Sequence, residues 1–149
     1  MLIIVIIGVL IVALMVYTST KIKKSAREAF EPEKFENDEF MLMKPDGFII
    51  PFNRNSPYPF EAYSKDFGDD EAAKLNQCWA VVNIKIGFQK SSSTKSEKNE
   101  KDVLIHVFTK RLGNKAAKKT YELEISVLDD YREAFAEKIE TMLSSFALK

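Results

Sequence analysis

Tyr121-Glu-Leu-Glu-Ile-Ser-Val127 alternates without a fault: Tyr121, Leu123, Ile125 and Val127 fall on one face, Glu122, Glu124 and Ser126 on the other. Successive side chains of a strand point to opposite faces, so this run predicts a strand buried on one side. Downstream the period changes. Tyr131, Phe135, Ile139, Met142, Leu143 and Phe146 recur at helical spacing, and Asp130 with Glu133 makes a capping-box-like start. The chain therefore closes on an amphipathic helix of about four to five turns. Its other face carries Arg132, Glu133, Glu137 and Glu140. A helix meant for a membrane surface would carry Lys and Arg there, so the apolar stripe is assigned to packing against a sheet.

Working upstream, Val103 to Leu112 predicts a second long strand, with Ile105 and Val107 on one face and Leu104 and Phe108 on the other. Cys78 to Phe88 predicts a third, with Val82, Ile84, Ile86 and Phe88 facing inward and Asn83 and Lys85 outward. Between these two, residues 89–102 hold no large apolar side chain and are expected to be a long flexible hairpin loop. Phe40 to Lys44 and Phe48 to Phe52 flank Pro45-Asp46-Gly47, a turn sequence that predicts a β-hairpin whose second strand ends near Pro51. Residues 53–63, with Pro57 and Pro59 among Tyr58, Phe60 and Tyr63, are expected to form an ordered loop. Asp69 or Asp70 is placed to cap a short helix through Leu75.

The N-terminus is a different material. No charged side chain occurs before Lys21, and Leu2 to Tyr17 carries no polar group until the Tyr17 hydroxyl. With Thr18, Ser19 and Thr20 this stretch spans roughly 28 Å as a helix, close to the ~30 Å hydrocarbon core of a bilayer. A buried globular helix would need a larger protein around it, being apolar on every face. A cleaved signal peptide is the sharper rival, since Thr18 and Thr20 are small; against it, no Lys or Arg precedes the run, and the run exceeds a typical apolar signal core. An uncleaved signal-anchor is the expectation. Lys21, Lys23, Lys24 and Arg27 follow the segment at once, so the positive-inside rule sets the N-terminus outside and the body in the cytoplasm, with Tyr17 at the inner interface.

The expected architecture is thus α+β: a single transmembrane helix (2–20), a charged juxtamembrane stalk (21–39), and a small domain (40–149) of about five antiparallel strands closed by a C-terminal amphipathic helix. Strands followed by one closing helix is similar in outline to pleckstrin-homology-like domains, an analogy of fold order that no residue motif carries.

The search for chemistry returns little. The composition, 46% apolar and 30% charged with 22 basic and 22 acidic side chains, excludes a charge-driven disordered tail and gross basicity for nucleic acid. The basic stretches also lack interleaved aromatics for base stacking, so no nucleic-acid partner is expected. Cys78 is the only cysteine and His106 the only histidine; both fall on predicted strands, with no local signature of a catalytic pair. Asp66, Asp69, Asp70 and Glu71 lack the spacing of a calcium loop, and no glycine cluster forms a phosphate cradle, so no catalytic residue, metal or cofactor is assigned. What survives is a run of cations without an acid, Lys110, Arg111, Lys115, Lys118 and Lys119, a candidate contact for anionic lipid or a partner. The primary expectation is a non-enzymatic, single-pass accessory or assembly subunit of a membrane complex, working through protein–protein interaction. Binding of anionic lipid headgroups is the alternative, and an enzyme with an unrecognised site at His106 or Cys78 is the second.

Overall fold

The computed structural model describes residues 2–52 and 55–149, with side chains from residue 5 onward. Helix α1 (Leu2–Ala29) leads into strand β1 (Glu33–Glu36), and β2 (Phe40–Lys44), β3 (Phe48–Ile49) and β4 (Phe60–Ser64) follow. The long strands are β5 (Cys78–Ile86), β6 (Ser92–Glu100), β7 (Val103–Asn114) and β8 (Lys119–Leu128); helix α2 (Ala136–Ser145) and β9 (Ala147–Leu148) end the chain. The class is α+β as the sequence indicates, but the strands form two antiparallel sheets, ordered β1-β2-β9 and β3-β4-β5-β8-β7-β6.

Both sheets and α2 close on one core. On β5 and β8 the inward residues are Cys78, Ala80 and Val82 against Val127, Ile125 and Leu123, all fully buried. Phe40 and Leu42 of β2, Phe48, Phe60 and α2's Ile139 and Met142 fill the space above them. Burial of each large apolar side chain is worth about 1.5–3 kcal/mol. Edge-to-face contacts tie the two ends of α2 to the two sheets, Phe146 to Phe40 of the small sheet and Phe135 to Phe48 of the large one. A second cluster, Ala72, Ile105, Val107 and Leu128, covers one end of the large sheet's back face.

Several expectations change. The strands around Pro45-Asp46-Gly47 exist but do not pair with each other: β2 pairs with β1 and β9, β3 with β4. Gly47, at φ 75°, turns the chain from one sheet into the other, because Phe40, Leu42 and Phe48 all have to reach the same core. The last four residues of the expected loop, 60–63, belong to a strand, Phe60–Ser64, whose inward residues are Phe60, Ala62 and Ser64; two small side chains hide its apolar period. Residues 92–100 are a strand rather than a flexible loop, held by a nine-residue register against β7.

The C-terminal helix is shorter than four to five turns. A 3-10 turn at Asp129–Tyr131 precedes it, and the side chain at its N-cap position makes no capping bond. The short helix near Asp69 is a single 3-10 turn, Asp70–Ala72, likewise without a side-chain cap. β5 ends at Ile86, which is 99% exposed rather than inward-facing. Within 21–39, α1 runs on to Ala29 and Glu33–Glu36 pairs with β2, joining the folded body.

Candidate functional site

Among the described residues one helix, over Val5–Ala29, is long and apolar enough to cross a membrane, and none of it is buried against the body. Tyr17, Lys21, Lys23, Lys24 and Arg27 are exposed along it. At about 1.5 Å per residue the last nine residues, 21–29, extend roughly 13 Å beyond the apolar stretch.

The join to the body is made by Lys44. The inward alternation of β2, Phe40-x-Leu42-x-Lys44, carries this lysine into the interior with no exposed surface. Its Nζ donates to the carbonyls of Ala29 (3.0 Å), Glu31 (2.6 Å) and Phe48 (3.0 Å), and the Gly47 amide donates to the Phe30 carbonyl (2.8 Å). A helix C-terminus exposes unpaired carbonyls at the negative end of its dipole, and an ammonium ion answers both needs. Burial lowers the Lys44 pKa, against the pull of Glu33 and Glu31. Lys44 escapes a reading that lists only exposed cations; the strand's parity is the signal that finds it.

The five cations of the basic set have different surroundings. Lys110 donates to the carbonyls of Leu143 (2.5 Å) and Phe146 (2.9 Å), capping the end of α2. Arg111 binds Glu122, which also receives Lys85 at 2.8 Å. Lys119 pairs with Glu39 at 2.5 Å, and Tyr121 donates to the same oxygen at 3.1 Å. Lys115 and Lys118 remain exposed in the β7–β8 turn. Gly87 donates to the Lys118 carbonyl (2.7 Å), which brings Ile86 and the half-exposed Phe88 beside the turn, with Lys90 following.

This mixed apolar and cationic tip lies at the far end of β2 from the α1 clasp. Glu39, just before β2, meets Lys119, whereas Lys44 at its end meets Ala29. The near end of the large sheet is acidic: Asp69, Asp70, Glu71, Asp102, Asp129 and Asp130 line a cleft of about 610 Å³.

A second cleft, of about 810 Å³, opens between α2 and the β6–β7 face. His106 lies in its floor, mostly buried, with Nε2 2.5 Å from Asp129 and Nδ1 3.3 Å from Glu97. Both ring nitrogens face carboxylates, so neither is directed at Ser96 on the cleft wall. Cys78 is two strands away across β8, and desolvation pushes its thiol pKa far up, keeping it protonated. The structure does not bring Cys78 and His106 together. Among the described residues no group of three or more His, Cys, Asp or Glu side chains is arranged to hold a metal ion.

No protein-family model matches the chain, and no curated protein matches it. Among solved structures it is similar to the solution structure of cyanobacterial PsbP (CyanoP) from Synechocystis sp. PCC 6803, at 11% identity and a TM-score of 0.48, over 80% of this chain and 94% of that one. So distant a likeness assigns no function.

Proposed function

We propose that this protein is a single-pass, membrane-anchored, non-enzymatic subunit that holds a small α+β domain at the cytoplasmic face of a membrane as an accessory or assembly component of a larger complex. The carrying observation is the exposed apolar helix whose C-terminal carbonyls are gripped by the buried Lys44 ammonium. An anchor fixed in this way sets the position of the body relative to the bilayer. The basic flank Lys21, Lys23, Lys24 and Arg27 supports the cytoplasmic orientation. The exposed tip of Ile86, Phe88, Lys90, Lys115 and Lys118 supports a partner with an acidic, partly apolar surface, since the acids that line the smaller cleft gather at the opposite end. Headgroup binding by the set Lys110, Arg111, Lys115, Lys118 and Lys119 draws less support, with three of the five committed to internal partners.

The test is gentle detergent extraction of the tagged full-length chain followed by native-mass separation. Reproducible co-migration with other membrane components is expected, weakened by Lys115→Glu with Lys118→Glu. Migration with no other component would overturn the reading.

A further inference from the structure

β6 is an edge strand of unusual openness. All nine of its side chains are exposed, its inner edge is paired with β7 from Ser92↔Arg111 to Glu100↔Val103, and among the described residues no strand lies on its outer side. Such an edge presents unpaired N–H and C=O groups to any strand that approaches. Natural edges are blunted by Pro, by bulges or by charges. Here there is neither Pro nor Gly, and the charged ends lean back over the strand's own sheet. Lys95 Nζ lies 5.3 Å from the centre of the Phe108 ring, Lys98 Nζ 5.8 Å from that of Trp79, and Glu97 turns toward His106.

The sequence Ser92-Ser-Thr-Lys-Ser-Glu-Lys-Asn-Glu100 is complementary to itself about Ser96. In an antiparallel pair with Ser96 opposite Ser96, Lys95 of each copy faces Glu97 of the other, Lys98 faces Thr94, and Glu100 faces Ser92. No like charges oppose. Moving the two-fold centre to Lys95 or Glu97 sets that charge against itself, and directly opposed like charges destabilise a sheet.

We propose that two copies of this chain pair antiparallel through Ser92–Glu100, centred on Ser96, joining their six-stranded sheets into one continuous sheet. The partner is specified by charge order rather than by apolar burial, which suits a strand that must stay soluble when unpaired. Confinement of both copies to one membrane raises their effective concentration for pairing. The association adds a second copy to any complex and does not depend on the identity of other subunits.

Site-directed cross-linking of the full-length chain in its membrane tests the register. Ser96→Cys sets two thiols directly opposite, within reach of a disulfide, and the native Cys78 is buried and silent. Thr94→Cys places them about 13 Å apart along the strand. Mild oxidation is expected to give at least tenfold more covalent dimer with Ser96→Cys than with Thr94→Cys. Lys95→Glu should weaken dimerisation at least tenfold, and Lys95→Glu with Glu97→Lys should restore it. Equal cross-linking at the two positions, or a folded charge-swapped double variant that stays monomeric, would overturn the proposal.

Discussion

Lys44 has no contact with water, and its ammonium is the common donor to three backbone carbonyls from the end of α1, the link to β1, and β3. Lys44→Met fills the space but leaves those carbonyls without a partner, and is expected to cost about 3 kcal/mol. Denaturant unfolding of the full chain in micelles measures this; a cost below about 1 kcal/mol would mean that water replaces the ammonium.

Three carboxylates act on stability in acid. Lys149 and Lys34 hold Glu36 down at about 2, and Lys119 and Tyr121 lower Glu39 in spite of some burial. For Glu122, burial raises the pKa, but Lys85 and Arg111 together outweigh it and the net shift is downward. A carboxyl with a lowered folded pKa stabilises fully above its unfolded value and loses that contribution as pH falls toward the folded one. The thermal midpoint is therefore expected to hold from pH 7 to about 5 and to drop between about 4.5 and 2. Glu122→Gln should cost about 2 kcal/mol at neutral pH, by leaving Lys85 and Arg111 unneutralised, and should flatten the acid limb. An unchanged acid limb in that variant would show that Glu122 titrates normally.

At the scale of elements, Tyr121–Val127 is readable because each inward position is large and each outward one polar, and the structure pairs it on both sides, with β5 and β7. β4 carries its alternation in Phe60, Ala62 and Ser64, where Ala and Ser look like loop residues in a proline-rich stretch. β6 has no apolar period at all, since it lies at an edge with both faces open, and only its backbone pairing with β7 makes it a strand. The basic run around the β7–β8 turn is visible as charge, but which cations are spent internally depends on partners far along the chain, such as Glu39 for Lys119. The exposed end of the sheet is set by Gly113, where an added Cβ would lie 2.0 Å from the Gln89 carbonyl oxygen and 2.7 Å from the Phe88 ring. Gly113→Ala is expected to cost about 2 kcal/mol by forcing the 87–91 connection off β7. Thermal unfolding checks it, and wild-type stability would mean that this connection is free to move.

Over the whole molecule the formal charge is zero, yet the body is polarised. The carboxylates of the smaller cleft lie toward the α1 clasp, and Lys90, Lys115 and Lys118 at the far end of the strands. This separation of charge along the strands leaves the tip, and not the clasp end, to attract an acidic surface. The apolar N-terminal segment was the plainest feature of the sequence, because charge is absent before Lys21. The clasp that makes it continuous with the body depends on one lysine in an apolar strand. The central claim is that this chain is anchored by its N-terminal helix with the body in the cytoplasm. Protease digestion of sealed membrane vesicles of known sidedness, scored in the fraction that resists alkaline extraction, tests it most directly. The account predicts an alkali-resistant chain whose body is digested only when the cytoplasmic face is outward; release by alkali, or digestion from the opposite face, would contradict it.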